Sequence, residues 1–453
     1  MSWFSSSAPA GPASIQDCNF WPVTSLTSGH GPLTETDTAW ELTTNKGFQT
    51  ETQTWYSVLS DGTLLLTQVI WSCIGVWMVP AQTQFTFKLH NPKTGETIWR
   101  SLNASNFALD KADGRSCRAN EFSITHTGSA REGEPEKYHI KATLDKEGGV
   151  VLDVTFERLP EAPGFKLGEG ESGGYSRFGK SAEPGGGKDG FVIHRFHPLA
   201  KSSGTILLKG RPVDAAGDAM FVHAIQGMMP NKVASRWNFA FFTSGGGKPS
   251  SEYTNVRAIQ MEFETTDEYG VYGPKSGRVK CNLGAIYLSG GSDSEKGTII
   301  TTTGQTHLPS TAAATTAYPL LPALSEKQAH PDVSSATHIG AQKEESTGYD
   351  APARVKFVWD GERRDAQGRV KGEIEVETGR EKGEKGLIEK VDVLAEIPYL
   401  VKKALSAVVG VKPYIFQYHN STTLHLQLTD KDGKSRDVNV EGWLFNEASF
   451  ISP

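Results

Sequence analysis

The sequence predicts a mainly β protein built from antiparallel meanders, and three observations carry that expectation. Gly and Pro number 48 and 23 among 453 residues, a richness in turn formers that suits short strands and long loops. Apolar and polar residues alternate with period two in one segment after another. Asp61-Gly62, between two β-branched and aromatic runs, is a dipeptide favoured by tight hairpin turns.

Taken in order, residues 1–35 carry Pro9, Pro12, Pro22 and Pro32 among Ser, Thr and Gly and read as a flexible leader. Thr52–Leu59 and Thr63–Ile74 form the first hairpin. Gln84–His90 places Phe85, Phe87 and Leu89 on one face, and Asn91–Gly95 turns the chain into Glu96–Leu102. Tyr138, Ile140, Ala142 and Leu144 alternate inward, then Val150, Leu152, Val154 and Phe156 alternate back, the raw material of an up-and-down barrel. Residues 160–190 are Gly-rich and read as a loop. A second β series follows at Phe191–Phe196, Thr205–Lys209, Trp237–Thr243, Val256–Thr265 and Arg278–Leu288.

Residues 302–350, rich in Thr, Ala, Ser, Pro and Gln, read as a disordered insertion. Strands return at Arg354–Trp359, and the charged stretch 361–386 reads as a solvated strand face or loop, with a strand hinted by Val370, Ile374 and Val376. Pro398 opens a short C-terminal helix whose Leu400, Val401, Ala404, Leu405, Val408 and Val409 recur at helical spacing until Gly410 and Pro413 close it. That stripe packs on a barrel end, or serves as a lid or membrane contact. Tyr414–Tyr418, Thr423–Leu428 and Asp437–Phe450 supply the last strands, with Asp432-Gly433 as the final turn. The length suits two domains or one large β domain with insertions; the boundaries read as 1–35, 36–212 and 213–453.

Several function classes are excluded or disfavoured. Lys and Arg number 46 against 52 Asp and Glu, a formal net charge of -6, so there is no electrostatic footprint for nucleic acid. Cys18, Cys73, Cys117 and Cys281 form no CxxC pair, no secretory signal is evident, and Asn103-Ala104-Ser105 and Asn420-Ser421-Thr422 read as chance sequons in a reduced, cytosolic protein. Gly174–Ser181 spells GxxxxGK[ST], yet glycines precede it and Pro184 with three glycines follows, so the strand and helix of a nucleotide site are missing. His194 and His197, three apart in a strand, point to opposite faces and cannot share a metal. Glu389, Asp392 and Glu396 read as a solvated face. No catalytic motif, cofactor motif or metal-ligand spacing is present, so the reading is non-enzymatic. Phe221–Pro230 with Ser235–Phe239 mixes aromatic and Met side chains with isolated polar groups, as a cavity wall or ordinary core would.

Glu51–Tyr56, Thr67–Ile70, Ala81–Leu89, Met220–Met228 with Ala234–Phe239, Val391–Pro398, Lys412–Ile415 and Leu444–Ser452 together resemble, in order, blocks of the fungal survival-factor family. The resemblance implies two lipocalin-like (calycin) antiparallel β-barrels, to which the periodicity and composition read above add one short C-terminal helix and long disordered loops. It implies a carrier of ceramide or a similar apolar lipid between endoplasmic reticulum and cis-Golgi, supporting sphingolipid homeostasis and survival of oxidative stress. The chain departs from the family at Trp71-Ser72-Cys73, where relatives carry His-Ser-Asn, and at Pro9 and Pro12, which stop the family's N-terminal amphipathic helix early. The candidate ligand-lining residues are Trp71, Phe85, Phe87, His223, Gln226, Met228, Trp237 and Phe239, and the candidate membrane contacts are Trp3, Phe4, Leu400 and Leu405. The expected location is the cytoplasm, with peripheral contact to those two membranes and the nucleus as a further compartment. The rivals are an isomerase or cyclase of secondary metabolism on the same fold, and a stress-responsive interaction module.

Overall fold

The structure is a computed structural model that describes residues 17–26, 30–43, 47–76, 78–131, 133–145, 149–170, 173–182, 189–245, 253–290, 297–309, 334–393 and 412–452. The strands of the first half are β1 (Phe20–Trp21), β2 (His30–Pro32), β3 (Gln49–Leu59), β4 (Leu64–Cys73), β5 (Gln82–His90), β6 (Thr97–Asn103), β7 (Ala108–Leu109), β8 (Cys117–Arg118), β9 (Phe122–Thr127), β10 (Lys137–Thr143), β11 (Val150–Arg158), β12 (Phe165–Leu167), β13 (Tyr175–Phe178), β14 (Gly190–Leu208), β15 (Arg211–Asp214) and β16 (Gly217–Gln226). The second half follows with β17 (Arg236–Thr243), β18 (Asn255–Glu264), β19 (Lys280–Ser289), β20 (Ile299–Thr302), β21 (Gln305–His307), β22 (Ser335–Ile339), β23 (Gln342–Lys343), β24 (Asp350–Ala351), β25 (Arg354–Glu362), β26 (Gly368–Glu377), β27 (Leu387–Asp392), β28 (Tyr414–Asp430) and β29 (Ser435–Phe450). Among these residues no helix is long and apolar enough to cross a membrane.

Two large curled antiparallel sheets result, beside a small two-stranded one, β23-β24. In the first, hydrogen bonds run β6-β5-β4-β3-β16-β14-β11-β10-β9-β8-β7; in the second, β20-β19-β18-β17-β29-β28-β26-β25-β22. Neither path closes into a ring among the described residues, so each sheet is a half-barrel. The expected hairpin at Asp61-Gly62 is present: the Leu59 carbonyl accepts the Gly62 N–H at 2.9 Å, and Gly62 sits at φ +90°, which favours glycine. Gly433 at φ +82° likewise closes the turn between β28 and β29.

Alternation along each strand sends residues to two different cores. Trp55, Val69, Phe85, Phe87, Tyr138, Ile140 and Phe221 fill the hollow of the first half-barrel, and Phe242, Trp359, Ile374 and Leu444 fill that of the second. The intervening residues Tyr56, Leu66, Met220 and Val222 leave the first sheet on its other side and meet Phe239, Phe241, Phe263, Leu283 and Phe445 of the second. Tyr56 lies 5.2 Å from Phe239 and 5.4 Å from Phe445, ring centre to ring centre, within the range of favourable aromatic pairs. The strands at the junction are therefore buried on both faces.

Several expectations are corrected. The division at 212/213 falls too early: β16 pairs with both β14 and β3 of the first sheet, so the chain passes to the second sheet between Gln226 and Arg236. The latter part of the proposed leader is packed, since Phe20, Val23 and Leu33 are buried, and β1 pairs with β13; residues 1–16, with Trp3 and Phe4, lie outside the described residues. The Gly-rich stretch 160–190 contains β12 and β13, because its turns separate short apolar runs that complete the sheet. The supposed insertion 302–350 contributes β21, β22, β23 and the start of β24, and Ala336 is buried beside Phe357; its middle, 310–333, lies outside the described residues. So does 394–411, which holds most of the expected helix with Leu400 and Leu405. Phe191–Phe196 and Thr205–Lys209 are parts of one strand, β14, whose register shifts between His197 and Ala200, where Pro198 cannot donate to the ladder.

Candidate functional site

One end of the first half-barrel is crossed by a strap, Thr34–Leu42, and polar side chains dictate its path. A short helix, Glu35–Thr38, starts where the Thr34 N–H and hydroxyl donate to the Asp37 carboxylate at 2.7 and 2.8 Å. Asp37 is held from β14 by Arg195 at 3.1 Å and from β12 by Lys166 at 3.0 Å. Burial would raise the Asp37 carboxyl, but the bonds from Thr34 and the charges of Arg195 and Lys166 hold it below its usual range. The strap's far end is fixed by Glu51 of β3, whose carboxylate accepts the Glu41 and Leu42 N–H groups, each at 2.8 Å, and faces His223 Nε2 at 2.9 Å. His223 Nδ1 in turn lies 2.6 Å from the Asp37 carbonyl. Leu42 is thereby held at φ +41°, a left-handed conformation costing a side-chain-bearing residue roughly 1–2 kcal/mol.

A second polar cluster secures the strap's middle. Glu136, fully buried, accepts from Thr38 Oγ1 at 3.0 Å and faces His126 at 2.8 Å, His197 at 3.0 Å and Arg115 at 3.7 Å. Burial opposes its charge, yet His197 and His126 together hold the carboxyl well below the usual carboxylate range. Arg115 also ties back to the Glu35 carboxylate.

Beside the strap's exit lies a cleft of about 560 Å³. Its apolar wall is made by Leu42, Trp71, Phe107 and Leu109 with Ala81 and Ala104, and Phe107 is braced edge-on by Trp40 at 6.3 Å. Its polar edge carries Gln82, Thr83, Asn103 and Asn106. The Oε1 atom of Gln82 is buried without a hydrogen-bond partner, and such an acceptor is costly unless something donates to it.

A second, smaller space of about 230 Å³ opens between the two sheets, lined by Thr52, His194, Gln226, Trp237, Phe239 and Glu447 among others. Burial pushes the Glu447 carboxyl up, while Gln417 Nε2 donates to it at 2.6 Å. Gln417 also meets Lys88 of the first sheet, so this polar chain crosses the junction. Burial pushes His194 down to about 4, and its ring stands edge-on to Trp237 at 5.5 Å.

The eight candidate lining residues therefore part company. Trp71 is in the cleft wall, and Phe85 and Phe87 lie in the filled core. His223 belongs to the clamp on the strap. Gln226, Trp237 and Phe239 line the space between the sheets, with Met228 next to it, its carbonyl accepting from Gln226 Nε2 at 2.9 Å. Leu42, Gln82, Asn103, Asn106 and Phe107 were missed: most sit in turns or at strand ends, where period-two alternation carries no inward or outward assignment. The GxxxxGK[ST] match runs along β13 rather than a strand-to-helix turn. His194 and His197 face opposite sides, towards Trp237 and Glu136. Glu389 is paired with Lys382 at 3.1 Å, and Glu396 lies outside the described residues.

Burial also sets a pH response. His90, His194 and His419 are pushed down to about 4 and His338 to about 3 from an ordinary 6.5, burial being the largest cause in each. The unfolded chain takes up protons below pH 6.5 that the folded chain refuses until about 4, so stability falls as pH drops through that window. Asp37 and Glu136 add to the loss at lower pH, as their stabilisation disappears when their depressed carboxyls are protonated. We expect the urea midpoint to fall steadily from pH 7 to pH 4, each buried histidine contributing up to about 1.4 kcal/mol per pH unit. A flat midpoint over that range would contradict the neutral, buried assignment.

Comparison with known proteins places this architecture. A model of the Svf1 family matches residues 1–452. This chain belongs to the Svf1 family. Among its relatives, the ceramide-binding protein svf1 of Emericella nidulans is 30% identical over 447 residues, covering 98% of this chain and 95% of that protein. The protein of the same name from Schizosaccharomyces pombe is 28% identical over 447 residues, with the same coverage of 98% and 95%. Among solved structures, CghA superposes on this Svf1-family chain with a TM-score of 0.51 at 12% identity, covering 96% of this chain and 97% of CghA. CghA with Sch210972 gives a TM-score of 0.50 at 12% identity, covering 96% of this chain and 98% of that one. These two likenesses bear on the fold alone.

Proposed function

We propose that this Svf1-family protein binds ceramide or a similar apolar lipid in the cleft beside the strap and carries it through the cytosol between endoplasmic reticulum and cis-Golgi, without catalysing its conversion. The observation that carries the reading is the orphaned acceptor of Gln82 at the edge of an apolar cleft, in a family whose relatives are named ceramide-binding. A ceramide headgroup supplies an amide N–H and two hydroxyls, the donors such an acceptor lacks. Each chain CH₂ moved from water to the cleft contributes about 0.8 kcal/mol, which drives loading, while the amide and hydroxyl edge orients the headgroup. Every cleft-lining side chain, from Leu42 to Leu109, is non-titratable; this supports binding over acid–base chemistry. On this reading the protein works in the cytoplasm with peripheral membrane contact, the nucleus being a further compartment, and its carriage supports sphingolipid homeostasis and survival of oxidative stress.

The test is mass spectrometry of apolar molecules extracted from natively purified protein, beside the Gln82→Leu and Ala104→Trp variants. Stoichiometric two-chain lipid is expected on the unmodified protein. Gln82→Leu should weaken binding about tenfold, the worth of roughly one buried hydrogen bond, and Ala104→Trp should abolish it. Lipid retained at full stoichiometry and affinity in both variants would remove the cleft as the site.

A further inference from the structure

Between Trp71 and Gln82, both in the cleft's lining, runs a loop whose composition is opposite to that of an ordinary surface turn. Residues 74–81, which join β4 to β5, read Ile-Gly-Val-Trp-Met-Val-Pro-Ala and contain no charged and no hydrogen-bonding polar side chain except the indole of Trp77. Val76 is 49% exposed and Met78 70%, and they are the exposed large hydrophobic residues among those described. The exposure is built in. The Val79 N–H donates to the Val76 carbonyl at 2.8 Å, closing a tight turn, and the Gly75 N–H meets Cys73 Sγ at 3.3 Å. Gly75, at φ +74°, packs so closely on Gly47 that any side chain there would collide with the Gly47 backbone. The loop's base is thus fixed against the neighbouring turn, and Val76 and Met78 are held in solvent instead of folding back onto the core.

Position adds the second argument. The loop leaves β4 shortly after Trp71 and re-enters the sheet through Ala81 and Gln82, and all three residues line the cleft. An apolar tip rooted in the rim of an apolar cleft is continuous with the surface that a lipid must cross to enter.

We infer that Val76 and Met78 form a bilayer-docking surface that dips into the acyl boundary of a membrane and sets the cleft mouth against it. This inference rests on the lipid-carrying reading above, since a carrier's cargo comes from a bilayer. Because the loop is uncharged, its partner is the apolar layer of the membrane and not an anionic headgroup. Docking through it therefore works on zwitterionic phosphatidylcholine and is insensitive to salt.

The experiment uses the full chain with Met78→Cys carrying a polarity-sensitive fluorophore; Cys18, Cys73, Cys117 and Cys281 are all buried, so the new thiol is the accessible one. On adding phosphatidylcholine vesicles the emission should shift to the blue, should be quenched by lipids brominated high on the chain, and should remain so at high salt. Val76→Asp with Met78→Asp should lower the partition coefficient onto the same vesicles at least fivefold and leave uptake of detergent-dispersed ceramide within twofold. An unshifted probe on protein that co-floats with vesicles would overturn the proposal, because contact would then run through another surface. So would a blue shift that depends on protein concentration without vesicles, which would assign the tip to a second copy of the chain. Loss of ceramide uptake in the double variant would overturn it too, by making the loop part of the cleft itself. Failure of the unmodified protein to take up ceramide, with vesicle insertion intact, would instead remove the cargo reading and leave the docking surface standing.

Discussion

Asp218→Ala is expected to cost about 3–5 kcal/mol, because it leaves the fully buried Arg257 guanidinium without its carboxylate. Asp218 stands on β16 of the first sheet; its Oδ1 is 2.6 Å from Arg257 Nη2 on β18 and also meets Lys201, while its Oδ2 accepts from Thr243 on β17 at 3.4 Å. Burial would raise the Asp218 carboxyl, but Arg257 and Lys201 hold it below its usual range. The pair thus joins the two sheets with the guanidinium fully out of water and the carboxylate nearly so, and it cannot be halved cheaply. Chemical denaturation of Asp218→Ala, Arg257→Met and the double variant measures this. Each single change should shift the midpoint strongly and the double change much less than their sum, since residues in direct contact couple. A loss below about 1 kcal/mol in Asp218→Ala would mean that solvent screens the pair as it does at surfaces.

Glu136→Leu should be as damaging, by about 3–5 kcal/mol, for a related reason. It strips the shared acceptor from Arg115, His126, His197 and the Thr38 hydroxyl at once. Its effect is also directional. The strap loses its middle anchor, so amide exchange at Glu41 and Leu42, whose N–H groups bond to Glu51, should speed up well before the sheet amides do. Since Leu42 forms a wall of the cleft, lipid binding should weaken together with that protection. Exchange that accelerates equally in strap and sheets would mean that Glu136 supports the half-barrel as a whole and not the strap in particular.

The strands were legible because their signal is local. Phe85, Phe87 and Leu89, or Tyr138, Ile140 and Ala142, announce an inward face by alternation alone, and Asp61-Gly62 and Asp432-Gly433 announce their turns. The division of the chain was less legible. Phe221 and Val222 are adjacent and both buried, one in the hollow and one at the junction, so composition cannot reveal which sheet β16 joins. Phe20 and Ala336 sit in segments whose sequence looks like loop, and only long-range pairing makes strands of them. The cleft was read least well. Of the candidate residues Trp71 lies in the cleft wall; Gln82 stands out through a missing partner, a property of three-dimensional packing, and Leu42 through a backbone angle imposed by the distant Glu51. His223, read as a ligand contact, is a positioning residue for the same reason: its partners are Asp37 and Glu51, 186 and 172 positions away.

The packing of β1 has a consequence for how the protein is made. Asn19 and Phe20, near the beginning of the chain, lock onto the second sheet: the Asn19 side chain donates to the Glu268 carbonyl at 2.8 Å and accepts the Gly270 N–H at 2.9 Å, while Phe20 stands edge-on to Phe263. Partners separated by 249 positions emerge from the ribosome roughly 10–50 s apart at ordinary rates of synthesis. For that interval the N-terminal segment has its first-sheet partner β13 but not the second sheet to close upon. The growing first sheet must wait with Tyr56, Met220 and Val222 uncovered until β17 and, at Phe445, β29 follow, which makes a chaperone's attention valuable throughout synthesis of the second sheet and makes the junction the last part of the molecule to be sealed.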